Sequence, residues 1–575
     1  MAYFSLLPDS FKLCLKDGAM DHVPETAANQ ITLTAARGET CGVQLLVRTD
    51  TPAAVLLTDA PCFCVQTRRT NFRISTAGPF AIHFLDIGML PDDDGSLRAD
   101  PLLNTDAVEL DAGQYHTFYA VIPVPENTAP GVYTQSIEVF SNTMFSPEVR
   151  EEVLTVTICV ADVLLPGKEH FVLDLWQHTT NIAHKHDVTL WGDEHFQVLE
   201  HYVRSLAQLG QKCVTVIASE IPWAGQSCHT VPELGTNLFE YSMIRVERLS
   251  DGTLRCDFTP MDRYIALCAK YGIDREIEVF GLTGIWGSAE EGFGPLAEDY
   301  EDPIRIRYYD HATRTYRYLD SKAEIDTYIQ LLFSHFEETG IIHRVRLVAD
   351  EPADAQKYRR ILDHLHGICP QLRMKAAINH AGFIDKFHDS VDSFAPNLEC
   401  ASNDYDLITR CIQDYPEKDF VWYICCWPRT FNTFLNCPLL ETRFLGTLTS
   451  FLGFHGFLRW NYTVWPREPR KDIRYAPFPA GDLNFVYPGA NGKPVLSLRY
   501  LQLKRGIEDF SLLWEAKNRG LTDTVEQVYD LLCRCSDPRK IYSGNEILPP
   551  EKICSHSWED YEQARILLLE RLSQT

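Results

Sequence analysis

The sequence predicts two domains, an N-terminal antiparallel β-sandwich over residues 1–166 and a (β/α)8 TIM barrel with C-terminal helices over residues 167–575. Strand-like periodicity without a convincing helix fills about the first 165 residues. From Phe171 onward the pattern changes to strand, loop and helix, repeated about eight times. A chain of 575 residues is long enough for two to four domains.

The N-terminal region shows the period-2 alternation of strands that are buried on one face. Leu154, Val156, Ile158 and Val160 alternate with polar or small residues. Further strands are predicted at Tyr133–Val139, Gly42–Arg48, Phe80–Leu85 and Tyr115–Val124. Because no helix separates them, an antiparallel sandwich is the natural architecture, and Leu165–Lys168 is its linker to the next domain.

The barrel strands are short buried runs that alternate with amphipathic helices. They are predicted at Phe171–Trp176, Cys213–Ile217, Arg275–Phe280, Val345–Ala349, Met374–Ile378, Ser393–Leu398, Phe420–Cys425 and Gly456–Trp460. Asp193 is the predicted cap of one helix, and Ser321 with Glu324 forms a predicted capping box for another. A doubly wound sheet would need fewer strands and usually a glycine-rich phosphate turn, which the sequence lacks.

The charge composition disfavours two classes of binding partner. With 53 basic and 79 acidic residues the net charge is −26, which disfavours nucleic acid and anionic membrane surfaces as partners. We find no signal peptide and no membrane-spanning segment, so a cytoplasmic location is expected. The 18 cysteines show no zinc-type CxxC spacing, so reduced thiols, no metal and no cofactor are expected.

Aromatic and polar side chains follow the predicted barrel strands, where the active site of such a barrel lies. The set comprises Trp176, His178, Trp223, Trp286, Asn379, His380, Trp427, Trp460 and Asn461. Core packing alone would scatter tryptophans among helix faces as well. The clustering therefore favours a site in which aromatic rings stack on sugars, although each single tryptophan could equally be core.

The sharpest feature is the run Val345–Pro352, in which the fourth strand leads directly into Asp350, Glu351 and Pro352. Adjacent strand residues face opposite ways, so two neighbouring carboxylates can share a pocket only where the strand ends and the chain turns. Held close together, the two acids raise each other's proton affinity, and one can remain protonated as a general acid. The alternative is a helix-capping aspartate beside a solvated glutamate.

Adjacent acids also restrict the mechanism. Ordinary retaining glycosidases hold two carboxyl groups about 5–5.5 Å apart, with one as the nucleophile. Consecutive residues at one strand end suit substrate assistance instead. In that mechanism a 2-acetamido group attacks its own anomeric carbon, one carboxylate orients the amide, and the other protonates the leaving oxygen.

Several motifs together resemble glycoside hydrolase family 123. They are Trp176-Gln177-His178, Asp350-Glu351-Pro352, and the C-terminal stretches Gly456–Pro469, Ala480–Gly489 and Ser497–Leu513. The resemblance covers most of residues 171–513, and an N-terminal sandwich is the usual companion of the family's catalytic domain.

The resemblance implies an exo-acting β-N-acetylgalactosaminidase that uses retaining, substrate-assisted catalysis on an oligosaccharide or glycoconjugate. It implies that Asp350 stabilises the acetamido group and that Glu351 is the general acid/base. Position and motif make candidate substrate-binding residues of Trp176, His178, Trp286, Asn379, Trp427, Trp460, Asn461 and Asp482. Leu483-Asn484 departs from the small hydroxylated residue expected there, which affects substrate detail more than chemistry.

The sequence leaves two other functions open, a metal-dependent hydrolase and a protein without catalytic activity. His184 and His186 follow the first strand, where metal-dependent barrel hydrolases place a zinc-binding pair, but only His380 is a well-placed later partner. An inactive carbohydrate-binding or scaffold protein is the non-enzymatic alternative. The choice between N-acetylgalactosamine and N-acetylglucosamine, which differ at the 4-hydroxyl, and the oligomeric state are also open.

Overall fold

The computed structural model describes residues 2–20, 24, 27–58, 70–143, 146–222, 239–283, 293–475 and 477–574. The N-terminal region forms two six-stranded sheets. In spatial order the first sheet contains Ala2–Pro8, Thr40–Thr49, Tyr115–Pro123, His83–Pro91, Leu97–Leu103 and Cys14–Leu15. The second sheet contains, again in spatial order, Gln30–Arg37, Val149–Leu164, Gly131–Thr143, Thr70–Ala77, Ala53–Leu56 and Ala107–Leu110.

The two sheets share one hydrophobic core. Leu45 and Phe118 from the first sheet and Val139 and Ile158 from the second are fully buried in it. Alternation along each strand supplies these side chains, as the sequence predicts. Most neighbouring strands are antiparallel, which confirms the predicted N-terminal antiparallel sheets.

Two details of this region differ from the prediction. Gln30–Arg37 pairs in parallel with Val149–Leu164, and Ala53–Leu56 pairs in parallel with Thr70–Ala77. The strand predicted at Phe80–Leu85 begins at His83 instead. The backbone N–H of Phe80 donates to the Gln135 side chain at 3.1 Å and so is not available to a strand ladder.

Eight parallel strands follow, and we number them in chain order as barrel strands one to eight. They are Val172–Leu175, Cys213–Ile217, Glu276–Phe280, Val345–Asp350, Met374–Ile378, Ser393–Pro396, Asp419–Tyr423 and Gly456–Arg459. From strand two to strand eight each strand pairs with the next, and strand eight pairs with strand one, so the sheet is a barrel that is closed except between strands one and two. The predicted strands are confirmed to within one or two residues at each end.

Two glutamine side chains close the remaining gap between strands one and two. The backbone N–H of Leu175 donates to the Gln211 side chain at 2.9 Å, and that side chain donates to the Cys213 carbonyl at 2.8 Å. The backbone N–H of Thr215 donates to the Gln177 side chain at 2.8 Å. These side-chain amides replace ladder hydrogen bonds and keep the buried edges satisfied.

Helices separate the barrel strands and continue beyond strand eight. They span Thr179–His186, Asp193–Leu209, Thr259–Lys270, Lys322–Glu338, Ala355–Ile368, Gly382–Phe387, Leu398–Asn403, Tyr405–Asp414, Leu439–Leu452, Leu498–Asn518, Thr522–Leu532 and Trp558–Ser573. Within the described ranges, none of these helices combines the length and the apolar character needed to cross a bilayer. Both predicted caps are wrong. Gly192 rather than Asp193 is the N-cap of its helix. Ser321 makes no capping hydrogen bond, and Glu324 pairs with Arg248 instead.

The sequence did not predict a small four-stranded sheet that leaves the barrel after strands two and three. Its strands are Leu254–Asp257, Arg245–Arg248, Arg307–Asp310 and Thr315–Tyr318, in that spatial order. Because it follows strand ends, this insertion lies at the carboxyl end of the barrel.

A buried charge cluster fills the barrel interior. The Lys375 ammonium lies 2.7 Å from an Asp174 carboxylate oxygen and 3.3 Å from one of Glu276, and it also contacts Glu278. All four side chains are essentially inaccessible to solvent. Burial raises the pKa of Glu278, with the nearby Asp174 charge as a further cause, while the carboxylates raise the pKa of Lys375 despite its burial.

We expect Lys375→Met to destabilise the protein by about 3–5 kcal/mol, because it leaves buried carboxylates without their cation. Denaturant unfolding measures the change. Lys471→Met is the control, since exposed Lys471 pairs with exposed Glu468, and it should stay within about 0.5 kcal/mol of the wild type. Equal effects of the two substitutions would contradict a stabilising role for the cluster.

Candidate active site

The end of barrel strand four brings two carboxylates together. Asp350 is the last strand residue, and Glu351 follows it with a φ of 45°, in the left-handed region that non-glycine residues rarely adopt. The Glu351 N–H remains bonded to the Ala377 carbonyl of strand five at 3.0 Å. This turn, of a kind that costs about 1–3 kcal/mol and is found at functional sites, places both side chains in one cavity.

That cavity has a volume of about 100 Å³ and opens at the carboxyl end of the barrel. Its lining comprises Trp176, Asp350, Glu351, Ala377, Tyr423, Cys425, Cys426, Leu458, Trp460 and Phe478. A larger cavity of about 350 Å³ lies around Lys12 and His556, between the sandwich and the C-terminal helices. No pair of adjacent carboxylates lines this larger cavity within the described ranges, so the smaller one is the better candidate.

Tyr423, the last residue of strand seven, contacts the second carboxylate. Its hydroxyl donates a hydrogen bond to Glu351. Burial, together with the Glu351 charge, raises the pKa of Tyr423 well above its usual value, so the phenol stays protonated and remains a donor. Sequence reasoning singled out tryptophans and missed Tyr423, although its place at a strand end is the same signal.

Asp350 has the most perturbed carboxyl group of the site. Burial, followed by repulsion from the Glu351 charge, raises the pKa of Asp350 to about 8. The free protein therefore holds a proton on Asp350 at neutral pH, while Glu351 accepts the tyrosine hydrogen bond.

Asp482 lies behind the cavity and supports its wall. It is fully buried, and one carboxylate oxygen accepts from the Arg459 guanidinium at 2.6 Å and from the Trp460 indole N–H at 3.3 Å. Burial raises the pKa of Asp482 to about 6, an effect that Arg459 partly offsets. Asp482 therefore fixes the indole of Trp460, which itself lines the cavity.

The other predicted residues lie in three different surroundings. His178 and Asn461 are fully buried behind the wall, where the His178 ring contacts the Trp460 carbonyl at 3.0 Å and the Asn461 amide donates to the Asp482 carbonyl at 2.7 Å. Asn379 is exposed, Trp427 is half exposed, and neither lines the cavity. Trp223 and Trp286 lie outside the described residues.

The histidines that suggested a metal site do not converge. His184 is exposed, whereas His186 contacts the Tyr202 hydroxyl at 2.8 Å, and His380 contacts the Asn379 side chain at 3.0 Å. Across the described ranges, the group of potential ligands close enough to share an ion is Asp174, Cys213 and Glu278. The Lys375 ammonium already lies among these three residues.

A parallel barrel with adjacent carboxylates between aromatic walls at its carboxyl end is an arrangement suited to hydrolysing glycosides. In agreement with this, the glycoside hydrolase 123 catalytic domain matches residues 176–515. The chain therefore belongs to glycoside hydrolase family 123 and is a glycoside hydrolase.

Solved structures agree with this fold. A family 123 glycoside hydrolase from Clostridium perfringens, described as hydrolysing glycolipid glycans, is similar with a TM-score of 0.75 and 18% identity, covering 100% of this chain and 98% of that one. A β-D-glucuronidase from Dictyoglomus thermophilum reaches a TM-score of only 0.32 at 12% identity, with 81% and 66% coverage, and supports no argument. No curated protein matches the chain.

We expect Asp350→Asn to stabilise the protein increasingly as the pH rises. The folded pKa of about 8 exceeds the ordinary 3.8, so the favourable contribution of the protonated carboxyl is complete below about pH 4 and is lost as the pH rises to about 8. Asparagine is neutral throughout. Thermal unfolding of both proteins from pH 4 to 9 should show a growing advantage for the variant, which levels off above pH 8.

The control is Asp363→Asn, on the exposed face of the following helix, which should show no such pH-dependent advantage. A stability difference between Asp350→Asn and the wild type that stays constant with pH would mean that Asp350 titrates normally.

Proposed function

We propose that this glycoside hydrolase removes terminal β-linked N-acetylgalactosamine from oligosaccharides or glycoconjugates by exo-acting, retaining, substrate-assisted catalysis. The observation that carries the proposal is the pair Asp350 and Glu351, adjacent in sequence and lining one cavity between Trp176 and Trp460. The carboxyl ends of the strands of a (β/α)8 barrel are where such a site belongs.

The lining of the cavity favours substrate assistance over a carboxylate nucleophile. Among the described lining residues, Asp350 and Glu351 are the carboxylates, and both come from one strand end. A two-carboxylate retaining enzyme needs a nucleophile and an acid on opposite sides of the scissile bond, about 5–5.5 Å apart. A substrate that brings its own acetamido nucleophile needs only one acid/base and one group to orient the amide.

In the proposed reaction the acetamido oxygen attacks the anomeric carbon as the glycosidic C–O bond breaks. Glu351 donates a proton to the leaving oxygen, and Asp350 accepts a hydrogen bond from the acetamido N–H as positive charge develops on the ring that forms. Water then attacks the anomeric carbon and gives its proton to Glu351. Two inversions at one carbon leave the configuration retained.

The location of the proton in the free protein adds a step to this scheme. Asp350 holds the proton before the substrate binds. An acetamido N–H that donates to Asp350 favours its ionised form, which moves the proton to Glu351, where the leaving oxygen needs it. In this proposal the 2-acetamido group supplies the nucleophile and also causes the proton transfer that makes Glu351 a general acid.

The remaining predicted residues have proposed roles that fit their positions. Trp176 and Trp460 bound the sugar pocket, while His178, Asn461 and Asp482 hold Trp460 in place. Trp427, half exposed and next in sequence to the cavity-lining Cys426, is proposed to contact the sugar or aglycone on the leaving-group side.

Removal of either carboxylate tests the pair. We expect Glu351→Gln and Asp350→Asn each to lower kcat/KM for an aryl β-N-acetylgalactosaminide by about 10²–10⁴-fold, the usual contribution of a positioned acid/base. In the wild type, kcat/KM should fall above about pH 8, where Asp350 loses its proton. Asp363→Asn is the control and should retain the wild-type rate. Intact hydrolysis by both active-site variants would exclude the proposed mechanism.

A panel of aryl β-glycosides tests the role of the acetamido group. We expect turnover of the N-acetylgalactosaminide and almost none of the plain galactoside, because the latter lacks the nucleophile. The rate with the N-acetylglucosaminide, compared with that of the N-acetylgalactosaminide, measures how strongly the enzyme discriminates at the 4-hydroxyl. Comparable rates with and without the acetamido group would refute substrate assistance, and binding without any turnover would favour a scaffold protein.

A further inference from the structure

Two consecutive cysteines lie in the wall of the candidate active site. Cys425 and Cys426 follow strand seven directly after Tyr423 and Ile424, and both line the cavity that contains Asp350 and Glu351. Both are partly accessible, and all fifteen described cysteines are free thiols. The proposed glycosidase reaction makes no use of either sulfur.

Cys425 and Cys426 are consecutive in the chain, and their surroundings differ. The Cys425 thiol donates to the Trp427 carbonyl at 3.8 Å. The interaction with Cys425, helped by the Arg429 and Arg459 charges and opposed by burial and Asp482, lowers the pKa of Cys426. The interaction with Cys426, together with burial, raises the pKa of Cys425. Cys426 is therefore the more acidic of the two thiols, and the residue before it in the chain carries the second thiol.

No other described cysteine has these properties. Burial raises the pKa of Cys213, Cys268 and Cys400, which are enclosed in the core. Thiols that respond to oxidants are accessible, have a lowered pKa and lie beside a second cysteine that can resolve the first product. The pair in the cavity wall meets each of these conditions.

We propose that Cys425 and Cys426 form an oxidant-sensitive site at which a hydroperoxide reversibly shuts the sugar pocket. The Cys426 thiolate attacks the terminal peroxide oxygen, the O–O bond breaks, and a sulfenic acid forms while the leaving oxygen takes up a proton. Cys425 then loses its proton and attacks the Cys426 sulfur. The S–O bond breaks, the hydroxyl leaves as water, and a disulfide remains. With hydrogen peroxide, two thiols and one peroxide give one disulfide and two waters.

A disulfide between neighbours is strained, which makes the modification reversible. Consecutive Cα atoms are about 3.8 Å apart across a trans peptide, below the usual range of about 4.4–6.8 Å for disulfides. Strained disulfides are readily reduced, which is typical of regulatory bonds. Its formation also requires the turn after strand seven to repack, and this turn begins two residues beyond Tyr423, the hydrogen-bond partner of Glu351.

The effect on catalysis rests on the proposed function, but the chemistry of the thiols does not. The full-length protein is treated with hydrogen peroxide, and two readouts are followed: hydrolysis of the aryl β-N-acetylgalactosaminide, normalised to each untreated variant, and mass spectrometry of the peptide that contains both cysteines. We expect a mass loss of two hydrogens in that peptide, a parallel loss of activity, and recovery of both with dithiothreitol.

Three variants separate the roles of the sulfurs. Cys426→Ser should lose activity roughly tenfold more slowly, because the reactive thiolate is gone. Cys425→Ser should still be inactivated, but without recovery in dithiothreitol, because the sulfenic acid has no partner and oxidises further. Cys535→Ser is the matched control from a second closely spaced pair, Cys533 and Cys535, and should behave as the wild type.

The outcomes distinguish the two proposals. If the aryl glycoside is not hydrolysed at all, the proposed function fails, and the peptide mass still decides the fate of the thiols. A disulfide that leaves hydrolysis unchanged would overturn closure of the pocket. In the wild type, alkylation of the remaining thiols shows which cysteines peroxide oxidises first. If other cysteines are oxidised before Cys425 and Cys426, the assignment of the site is wrong.

Discussion

The buried guanidinium of Arg499 joins the sandwich, the barrel loops and the active-site wall. It is inaccessible to solvent, forms two hydrogen bonds with Asp100 of the sandwich, and donates to the carbonyls of Thr433, Gly481 and Asn484. A buried charge of this kind is tolerated only when it is paired and its donors are satisfied. Because one buried side chain bonds to all three segments, Arg499 holds them together. The sandwich is therefore part of the framework of the site.

A chain of buried contacts links Arg499 to the cavity wall. Gly481 has a φ of +86°, and a Cβ there would lie 2.9 Å from the Leu435 nitrogen and 3.0 Å from Arg499, so only glycine lets this loop approach so closely. The next residue, Asp482, pairs with Arg459 at the end of strand eight. Arg459 in turn donates to the carbonyl of Ile424, just beyond strand seven. Two buried ion pairs thus hold the ends of neighbouring strands, and with them Trp460 and the turn at Cys425, in one geometry.

The sequence predicts well what depends on local patterns and poorly what depends on long-range pairing of polar groups. The strands follow from period-2 alternation and short buried runs, and the placing of Asp350 and Glu351 follows from a strand end followed by proline. Arg499 and Asp482 lie in the C-terminal stretches that carry the family resemblance, yet nothing in their spacing shows that they pair with Asp100 and Arg459, which lie 399 and 23 residues away. The glutamines that close the barrel and the hydroxyl of Tyr423 escape prediction for the same reason, because one polar side chain among apolar neighbours does not reveal its partner.

Hydrogen bonds to neighbouring strands explain how the candidate site keeps two carboxylates so close. An acid beside another acid in a poorly solvated cavity would relieve the repulsion by moving apart, if the wall allowed it. Here Glu351 is tied through its N–H to strand five and through its carboxylate to Tyr423, while Asp350 is held in strand four. Burial and then repulsion from Glu351 raise the pKa of Asp350 to about 8, so the carboxyl that cannot move away holds a proton instead. The hydrogen bonds that hold Glu351 beside Asp350 thus keep a proton at the end of strand four, where the proposed reaction needs an acid.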